Sequence, residues 1–287
     1  METFFSFLEK RVDDCTSLLC VGLDPHPSDL KEASPASALD FCLNLVRATA
    51  PYAAAFKPNA AFFEVFGPEG WTALKQVIEA IQAESQRIGS MIPVILDAKR
   101  GDIASTAEAY AKSTFDVLGA HCITLSPYLG KDSIEPFIQN YEKGVFLLCK
   151  TSNPGSGDLQ DLIVTADNGP QTMVNGQPST VYLYEHVAKL AQQWNTKNNI
   201  GLVVGATHVE ALKRVRAAAP DLWFLAPGVG AQGGELESAL RAGLRKDGKG
   251  MLINVSRSIA RAAKGPRIAA AELRDEILHI KREINMA

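Results

Sequence analysis

The sequence predicts an α/β fold, a single (β/α)8 TIM barrel, from three observations. Eight short segments rich in Val, Ile and Leu alternate with helical patterns, as in consecutive parallel β-α-β units. The length of 287 residues is close to the roughly 250 residues that such a barrel needs. No linker or compositional break divides the chain, so residues 1–287 are expected to form one domain.

The predicted elements follow one another in a regular order. An amphipathic helix over residues 3–14 precedes the first strand. The next helix begins at Ser34 and Pro35, a capping side chain followed by proline at the first helical position. The predicted strands span residues 18–24, 53–59, 93–99, 122–127, 145–152, 200–207, 223–230 and 251–257. The predicted helices span residues 34–49, 68–88, 103–119, 131–142, 179–195, 208–218 and 234–244, with a short segment at 258–263 and a long last helix from 266.

The composition argues against several classes of partner and compartment. Hydrophobic residues make up 46% of the chain, charged residues 21%, and the net charge is −3, so neither nucleic acid nor a membrane is expected as a partner. The first ten residues contain no long apolar run, which predicts neither a signal peptide nor a membrane anchor. The five cysteines form no C-x-x-C pair, which predicts buried, reduced thiols in a cytoplasmic protein.

One predicted connection is much longer than the others. Residues 153–178 follow the fifth strand, are rich in Gly, Asp, Asn and Pro, and lack clear periodicity. A connection of this length within one domain is usually either functional or disordered. Because it leaves the C-terminal end of a barrel strand, we expect it on the catalytic face. A mobile lid and a solvated insertion are the two alternatives there.

The stretch from 93 to 106 carries the densest group of ionisable residues. A short apolar run is followed by Asp97, Lys99 and Asp102, and then by a helical pattern. A buried run that ends in charge is typical of a parallel strand that delivers ionisable groups to its C-terminal end. Asp97 and Lys99 are two residues apart, so they project from one face of a strand. The alternative interpretation is a purely structural Asp–Lys pair.

Polar residues also follow other predicted strands, whose interiors are apolar. In a (β/α)8 barrel the C-terminal ends of the strands lie together on the face that carries function. This convergence therefore predicts one polar site at one end of the barrel. Its further members are Asp24 after strand one, Lys57 on strand two, Ser152 after strand five, and Ser256 and Arg257 after strand eight.

A glycine-rich segment follows the seventh strand. Residues 228–233 match G-x-G-x-x-G, but they do not follow the first strand of a dinucleotide-binding unit, and no acidic residue ends the next strand. A glycine loop after strand seven, followed by Arg257 after strand eight, is instead typical of the phosphate site of a barrel. We therefore predict that Gly228, Gly230 and Arg257 bind a phosphate group. The alternative is that the glycines serve only the turn.

The histidines give no indication of a metal centre. The five of them, at positions 26, 121, 186, 208 and 279, show no metal-ligand spacing, so no metal site is predicted.

Several of these motifs together resemble one family. Asp97-x-Lys99-x-x-Asp102-Ile resembles the signature of the orotidine 5′-phosphate decarboxylases. The supporting motifs occur in the same order, namely Gly22-Leu23-Asp24, Phe56-Lys57-Pro58, residues 227–232 and Ser256-Arg257. The extended segment after strand five resembles the longer bacterial subgroup of that family. The resemblance implies conversion of orotidine 5′-monophosphate (OMP) to UMP and CO2, in a homodimer without a cofactor.

The resemblance also implies a role for each residue. Lys99 is then the proton donor to C6, Asp97 lies against the substrate carboxylate, and both belong to a Lys57-Asp97-Lys99-Asp102 charge network. The binding residues are then Asp24 and Lys57 for ribose, Ser152 for the pyrimidine edge, Gly228, Gly230, Gln232 and Arg257 for phosphate, and Asp102 and Thr106 in the partner's site.

Two other functions remain as alternatives. Metal-dependent sugar-phosphate decarboxylases or aldolases share the barrel, but they are expected to have an acidic metal ligand where this chain has Lys57. A non-catalytic nucleotide-phosphate sensor would keep Arg257 and the glycine loop, yet it would have no need of the charge network.

Overall fold

Eight parallel strands form a barrel, as predicted. The computed structural model describes residues 2–165, 173–174, 177–178, 180–228 and 233–286. The barrel strands are β1 Leu19–Leu23, β2 Ala55–Pro58, β3 Ile95–Arg100, β4 Cys122–Leu125, β5 Gly144–Lys150, β6 Ile200–Val204, β7 Phe224–Pro227 and β8 Met251–Val255. They pair in the order β2-β1-β8-β7-β6-β5-β4-β3. Parallel bridges from Phe56 to Val94 and from Asn59 to Asp97 then join β2 to β3 and close the barrel.

Helices surround the barrel and connect its strands. Ser34 Oγ accepts a hydrogen bond from the Ser37 amide at 3.2 Å, and Pro35 occupies the first helical turn, so the predicted start of that helix is confirmed. The longer helices are Phe4–Cys15, Pro35–Thr49, Gly67–Ile88, Ala104–Lys112, Leu183–Trp194, Val209–Ala218, Gly233–Gly243 and Pro266–Met286, and the short ones are Ala61–Glu64, Glu135–Ile138 and Arg257–Ala260.

The N-terminal helix covers the end of the barrel where the strands begin. Phe5 is buried and stacks parallel to Trp223 with ring centroids 6.2 Å apart, while Phe146 meets it edge-on. Glu9 Oε1 accepts hydrogen bonds from Trp223 Nε1 at 3.2 Å and from Arg245 Nη2 at 2.6 Å. This cover leaves the opposite end, where the strands finish, as the open face of the barrel.

The predicted helix over residues 131–142 is wrong. The chain instead makes a 3-10 turn at Lys131–Ser133 and a single helical turn at Glu135–Ile138. Pro136 has no N–H to donate, so it fits only in the first turn of a helix. Asn140 then ends the segment, because its side-chain Oδ1 accepts the Glu142 amide at 2.9 Å.

The long connection after β5 contains more structure than the sequence predicts. It begins with a 3-10 helix at Pro154–Asp158, and Ile163–Thr165 pairs in antiparallel fashion with Thr180–Tyr182. The following helix therefore begins at Leu183 and not at the predicted residue 179, because residues 180–182 belong to this ribbon. Residues 173–174 pair with 177–178, and the rest of 166–179, where the lid and the insertion are the two alternatives, lies outside the described residues.

All five cysteines lie in the described ranges and are buried free thiols, as predicted. Among the described residues, no helix combines the length and the apolar character that a membrane crossing requires.

Candidate active site

A carboxylate flanked by two lysines forms the centre of the open face. Lys57, the third residue of β2, donates from Nζ to Asp97 Oδ2 at 2.7 Å. Lys99 donates from Nζ to Asp97 Oδ1 at 2.5 Å. The side chains of Lys57 and Asp97 are 6% and 11% exposed, whereas that of Lys99 is 50% exposed. Lys57 and Asp97 are therefore buried, and Lys99 is the member of the cluster that is exposed on the open face.

The charges of the cluster stabilise one another. Burial raises the pKa of Asp97, but the charges and hydrogen bonds of Lys57 and Lys99 outweigh it and hold that pKa well below its usual range. Burial likewise lowers the pKa of Lys57, and the charges of Asp97 and Asp24 outweigh it and raise that pKa. The ionised forms of Asp97 and Lys57 are therefore the stable ones at neutral pH.

Strand β3 bulges where it carries the site. Leu96 pairs with Ile123 and Arg100 with Leu125, so residues 97–99 of β3 lie opposite the single residue Thr124. Lys99 has a φ of +47°, in the left-handed region that side chains other than glycine rarely adopt. Such strain concentrates at functional sites.

Asp24 adds a second carboxylate beside Lys57. Its Oδ1 lies 4.0 Å from Lys57 Nζ, which is an ion pair but not a hydrogen bond. That oxygen is buried and has no hydrogen-bond partner among the described residues. A buried oxygen of this kind is an acceptor that a ligand hydroxyl can satisfy.

The opposite side of the open face is lined by small residues. A Cβ added to Gly22 would lie 2.8 Å from Ser256 Cβ, so only glycine allows β1 to approach the chain after β8 so closely. Gly228 has a φ of +92°, which favours glycine, and Ser152 lies 3.8 Å from the position of a Cβ there. Arg257 is exposed and begins the helix Arg257–Ala260. Ser152 and Gly228 thus lie together, with Arg257 following the neighbouring strand.

The remaining predicted residues are not part of this cluster. Asp102 accepts the Ile103 amide at 2.8 Å through Oδ1 and forms no ion pair within the described part of the chain. Thr106 is exposed in the first turn of Ala104–Lys112. Gly230 and Gln232 lie outside the described residues. Within a single chain the structure therefore brings together three members of the predicted charge network, Lys57, Asp97 and Lys99.

Two polar groups near the site, Thr124 and Lys150, were not predicted from the sequence. Thr124 donates to Asp97 Oδ1 at 3.0 Å from the middle of an apolar strand. Lys150, at the end of β5, is buried and donates to Asp161 at 2.8 Å and to Ser156 at 3.1 Å. The sequence indicates Thr124 only as a polar residue inside an apolar strand, and Lys150 only as a lysine directly before Thr151. Lys150 fixes the start of the long connection to the end of β5.

Comparison with known proteins identifies the family. Residues 17–273 match the model of the orotidine 5′-phosphate decarboxylase / HUMPS family. The chain belongs to this family. A relative from Roseiflexus castenholzii, named orotidine 5′-phosphate decarboxylase, is 47% identical over 96% of this chain and 97% of its own.

Solved structures of the orotidine 5′-phosphate decarboxylase family agree with the barrel. The OMP decarboxylase of Leishmania donovani superposes with a TM-score of 0.82 and 53% identity, over 98% of this chain and 99% of that one. A Toxoplasma gondii structure described as a possible orotidine-monophosphate decarboxylase gives a TM-score of 0.88 at 42% identity, over 99% and 98% of the two chains. Membership of the family and the barrel fold are therefore established together.

The Asp97 cluster predicts a pH-dependent stability. Asp97→Asn should lower the free energy of unfolding by about 3–5 kcal/mol at pH 7, because Lys57 loses its buried counter-charge. The folded-state pKa of Asp97 lies well below the unfolded value of about 3.9, so the wild-type advantage is complete well above pH 3.9, decreases as the pH falls below that value, and is lost only when the pH passes through the folded-state pKa. Urea unfolding of both proteins from about pH 3 to 8 measures this difference.

The control for this measurement is Asp132→Asn, since Asp132 is an exposed aspartate. Its effect should be small at every pH. A difference between wild type and Asp97→Asn that grows as the pH falls would contradict the ion-pair account.

Proposed function

We propose that the chain converts OMP to UMP and CO2, the last step of de novo UMP synthesis, with Lys99 protonating C6. The observation that carries this proposal is the ion pair of Lys99 with Asp97, which places a partly exposed ammonium group on a buried carboxylate in a member of this family. The named relatives support the same reaction.

The reaction requires positive charge beside one carbon atom. The bond between C6 and the carboxylate carbon breaks, CO2 departs, and the electron pair stays on C6. This carbanion has no conventional electron sink, so a preorganised ammonium is the main available stabilisation. Lys99 then transfers a proton to C6, becomes a neutral amine, and recovers a proton from solvent. No electron leaves the substrate, and the step as written needs no cofactor.

The remaining residues bind the substrate in this proposal. Asp97 lies against the carboxylate that departs, and Asp24 and Lys57 hold the ribose hydroxyls. The orphaned Oδ1 of Asp24 supports that role, because it can accept from a hydroxyl. Ser152 contacts the pyrimidine edge. The phosphate is bound by Gly228, Gly230, Gln232 and Arg257. Because the phosphate is remote from C6, the free energy of its binding can be used to orient the pyrimidine ring at the reacting centre.

Lys57 argues against the metal-dependent alternative. Its ammonium, which donates to Asp97 at 2.7 Å, would repel Mg²⁺ from the position where those enzymes are expected to have an acidic ligand. The sensor alternative gives no reason to hold the three charged groups Lys57, Asp97 and Lys99 together. Decarboxylation uses all three.

We further propose a homodimer with shared sites, in which Asp102 and Thr106 act in the partner's site. The loops after the neighbouring strands β2, β3 and β4 carry exposed apolar side chains, with Val65 73%, Ile103 51% and Tyr128 80% exposed. Exposed apolar surface of this kind is typical of protein interfaces. In a dimer with a two-fold axis, this surface of each copy would be covered by the other copy.

We also place the protein in the cytoplasm, where OMP and UMP are expected to be. The five free, buried cysteines support this compartment, since thiols persist there in the reduced form.

The first experiment tests the reaction and the role of Lys99. OMP decarboxylation should be measurable and should survive exhaustive EDTA treatment. Lys99→Ala should lower kcat more than about 1000-fold, because the proton donor and its charge are lost together. The control is Lys213→Ala, which removes an exposed lysine paired with Glu210 at 2.7 Å. Activity that disappears with EDTA and returns with Mg²⁺ would favour the metal-dependent alternative.

A second experiment tests the phosphate site. Arg257→Ala should weaken UMP binding by on the order of tenfold to a hundredfold, as expected for charged hydrogen bonds, and should leave uridine binding nearly unchanged. Isothermal titration with both ligands measures the two effects. Equal losses for UMP and uridine would assign Arg257 a structural role.

A third experiment tests the shared site. Lys99→Ala and Asp102→Ala should each be inactive, and the two should be unfolded and refolded together. In a mixed dimer one site then carries both defects and the other carries neither. About half of the dimers are mixed, so about a quarter of wild-type activity should return. If confirmed mixed dimers stay inactive, Asp102 acts within its own chain.

A further inference from the structure

The hydroxyl of Thr124 is fully used in hydrogen bonds around the catalytic lysine. Its Oγ1 accepts the amide of Ala98 at 3.1 Å and the amide of Lys99 at 3.0 Å, and it donates to Asp97 Oδ1 at 3.0 Å. A hydroxyl has one donor and two acceptor sites, and all three are occupied here. Thr124 is also 1% exposed, so water does not substitute for any of these contacts.

The hydrogen bonds with Thr124 satisfy two backbone amides that the bulge of β3 leaves without a partner in the sheet. Because residues 97–99 lie opposite one residue of β4, the amides of Ala98 and Lys99 have no ladder carbonyl to bind. These two amides are partly buried, and an amide that is fully buried without a partner costs about 1–3 kcal/mol. The Thr124 hydroxyl satisfies both of them, at the only β4 position opposite the bulge.

The bulge in turn places the lysine. A regular strand would continue with extended backbone at Lys99, whereas the observed φ of +47° turns the chain there. In this turned conformation Lys99 Nζ reaches Asp97 Oδ1, the same oxygen that Thr124 binds. The side chain of Thr124 thus binds both the backbone amide of Lys99 and the carboxylate of Asp97, with which the Lys99 ammonium forms its ion pair.

We propose that Thr124 is a positioning residue for the decarboxylation, which holds the bulge of β3 and so fixes Lys99 against Asp97. This inference rests on the proposed function for its kinetic consequence. Because its side chain is buried and all its hydrogen bonds go to residues 97–99, Thr124 acts through Lys99 and Asp97 and not through contact with the substrate.

The test compares two substitutions that differ in the hydroxyl. Thr124→Val keeps the shape but removes all three hydrogen bonds, and Thr124→Ser keeps all three. With Thr124→Val, kcat for OMP should fall about a hundredfold, the effect expected of a displacement of about 1 Å. KM should change little, since ribose and phosphate are bound from other strands. Thr124→Ser should keep kcat within about fivefold, or about 1 kcal/mol.

A matched control separates this role from general stability. Thr49 is buried, and its Oγ1 donates only to the Leu45 carbonyl at 2.7 Å, away from the site. Thr49→Val should therefore leave kcat unchanged. If Thr124→Val does not fold, Thr124→Ala replaces it, because the space it leaves can admit a water. The proposal is overturned if the folded variant keeps kcat near that of Thr124→Ser, or if KM rises while kcat does not fall.

Hydrogen exchange tests the structural half without substrate. Amide exchange in a peptide that spans residues 97–100 should be faster in Thr124→Val than in wild type, and unchanged in Thr124→Ser. Equal exchange in all three proteins would overturn the proposal. A wild-type chain that does not decarboxylate OMP would instead overturn the proposed function, and the exchange result would still decide whether Thr124 holds the bulge.

Discussion

The carboxylate of Asp97 receives hydrogen bonds from three side chains, and the placement of the other charges depends on it. Lys57 binds one of its oxygens, and Lys99 and Thr124 bind the other. These groups come from β2, β3 and β4, which are neighbours in the barrel. Without this carboxylate Lys57 would be a buried charge with no hydrogen-bonded counter-ion and only Asp24, 4.0 Å away, to balance it, which is costly in a protein interior. The barrel supplies the rigid frame that keeps the cluster assembled.

The two halves of the barrel contribute different kinds of residue to the open face. The chain from β1 to β3 brings ionisable groups, including Asp24 and Lys57. The chain after β5 and β7 presents Ser152 and Gly228, and the chain after β8 presents the exposed Arg257, whereas Lys150 at the end of β5 is buried and bound to Asp161. The proposed reaction fits this division, since bond breaking needs fixed charge whereas phosphate binding needs accessible amides and one cation.

The parts of this site that follow directly from strand order were predictable from sequence. Lys57 and Asp97 stand out because each interrupts an apolar run, and parallel strands bring such ends together. Thr124 was not predictable, because threonine is common in strands and its role depends on a bulge that only the register between β3 and β4 reveals. The wrong helix at 131–142 followed from periodicity that ignored Pro136. The role proposed for Asp102 involves a second chain, and the sequence of one chain does not show which residues meet across an interface.

The buried cysteines make the folded chain unreactive toward thiol reagents. Burial raises the pKa of Cys20 to about 12 and raises those of Cys15, Cys42, Cys122 and Cys149 as well, so thiolate, the nucleophilic form, is scarce in the native state. Unfolding exposes all five at once. Alkylation by an added maleimide would thus count opened molecules, and a single new surface cysteine could carry a fluorophore without any native thiol being replaced.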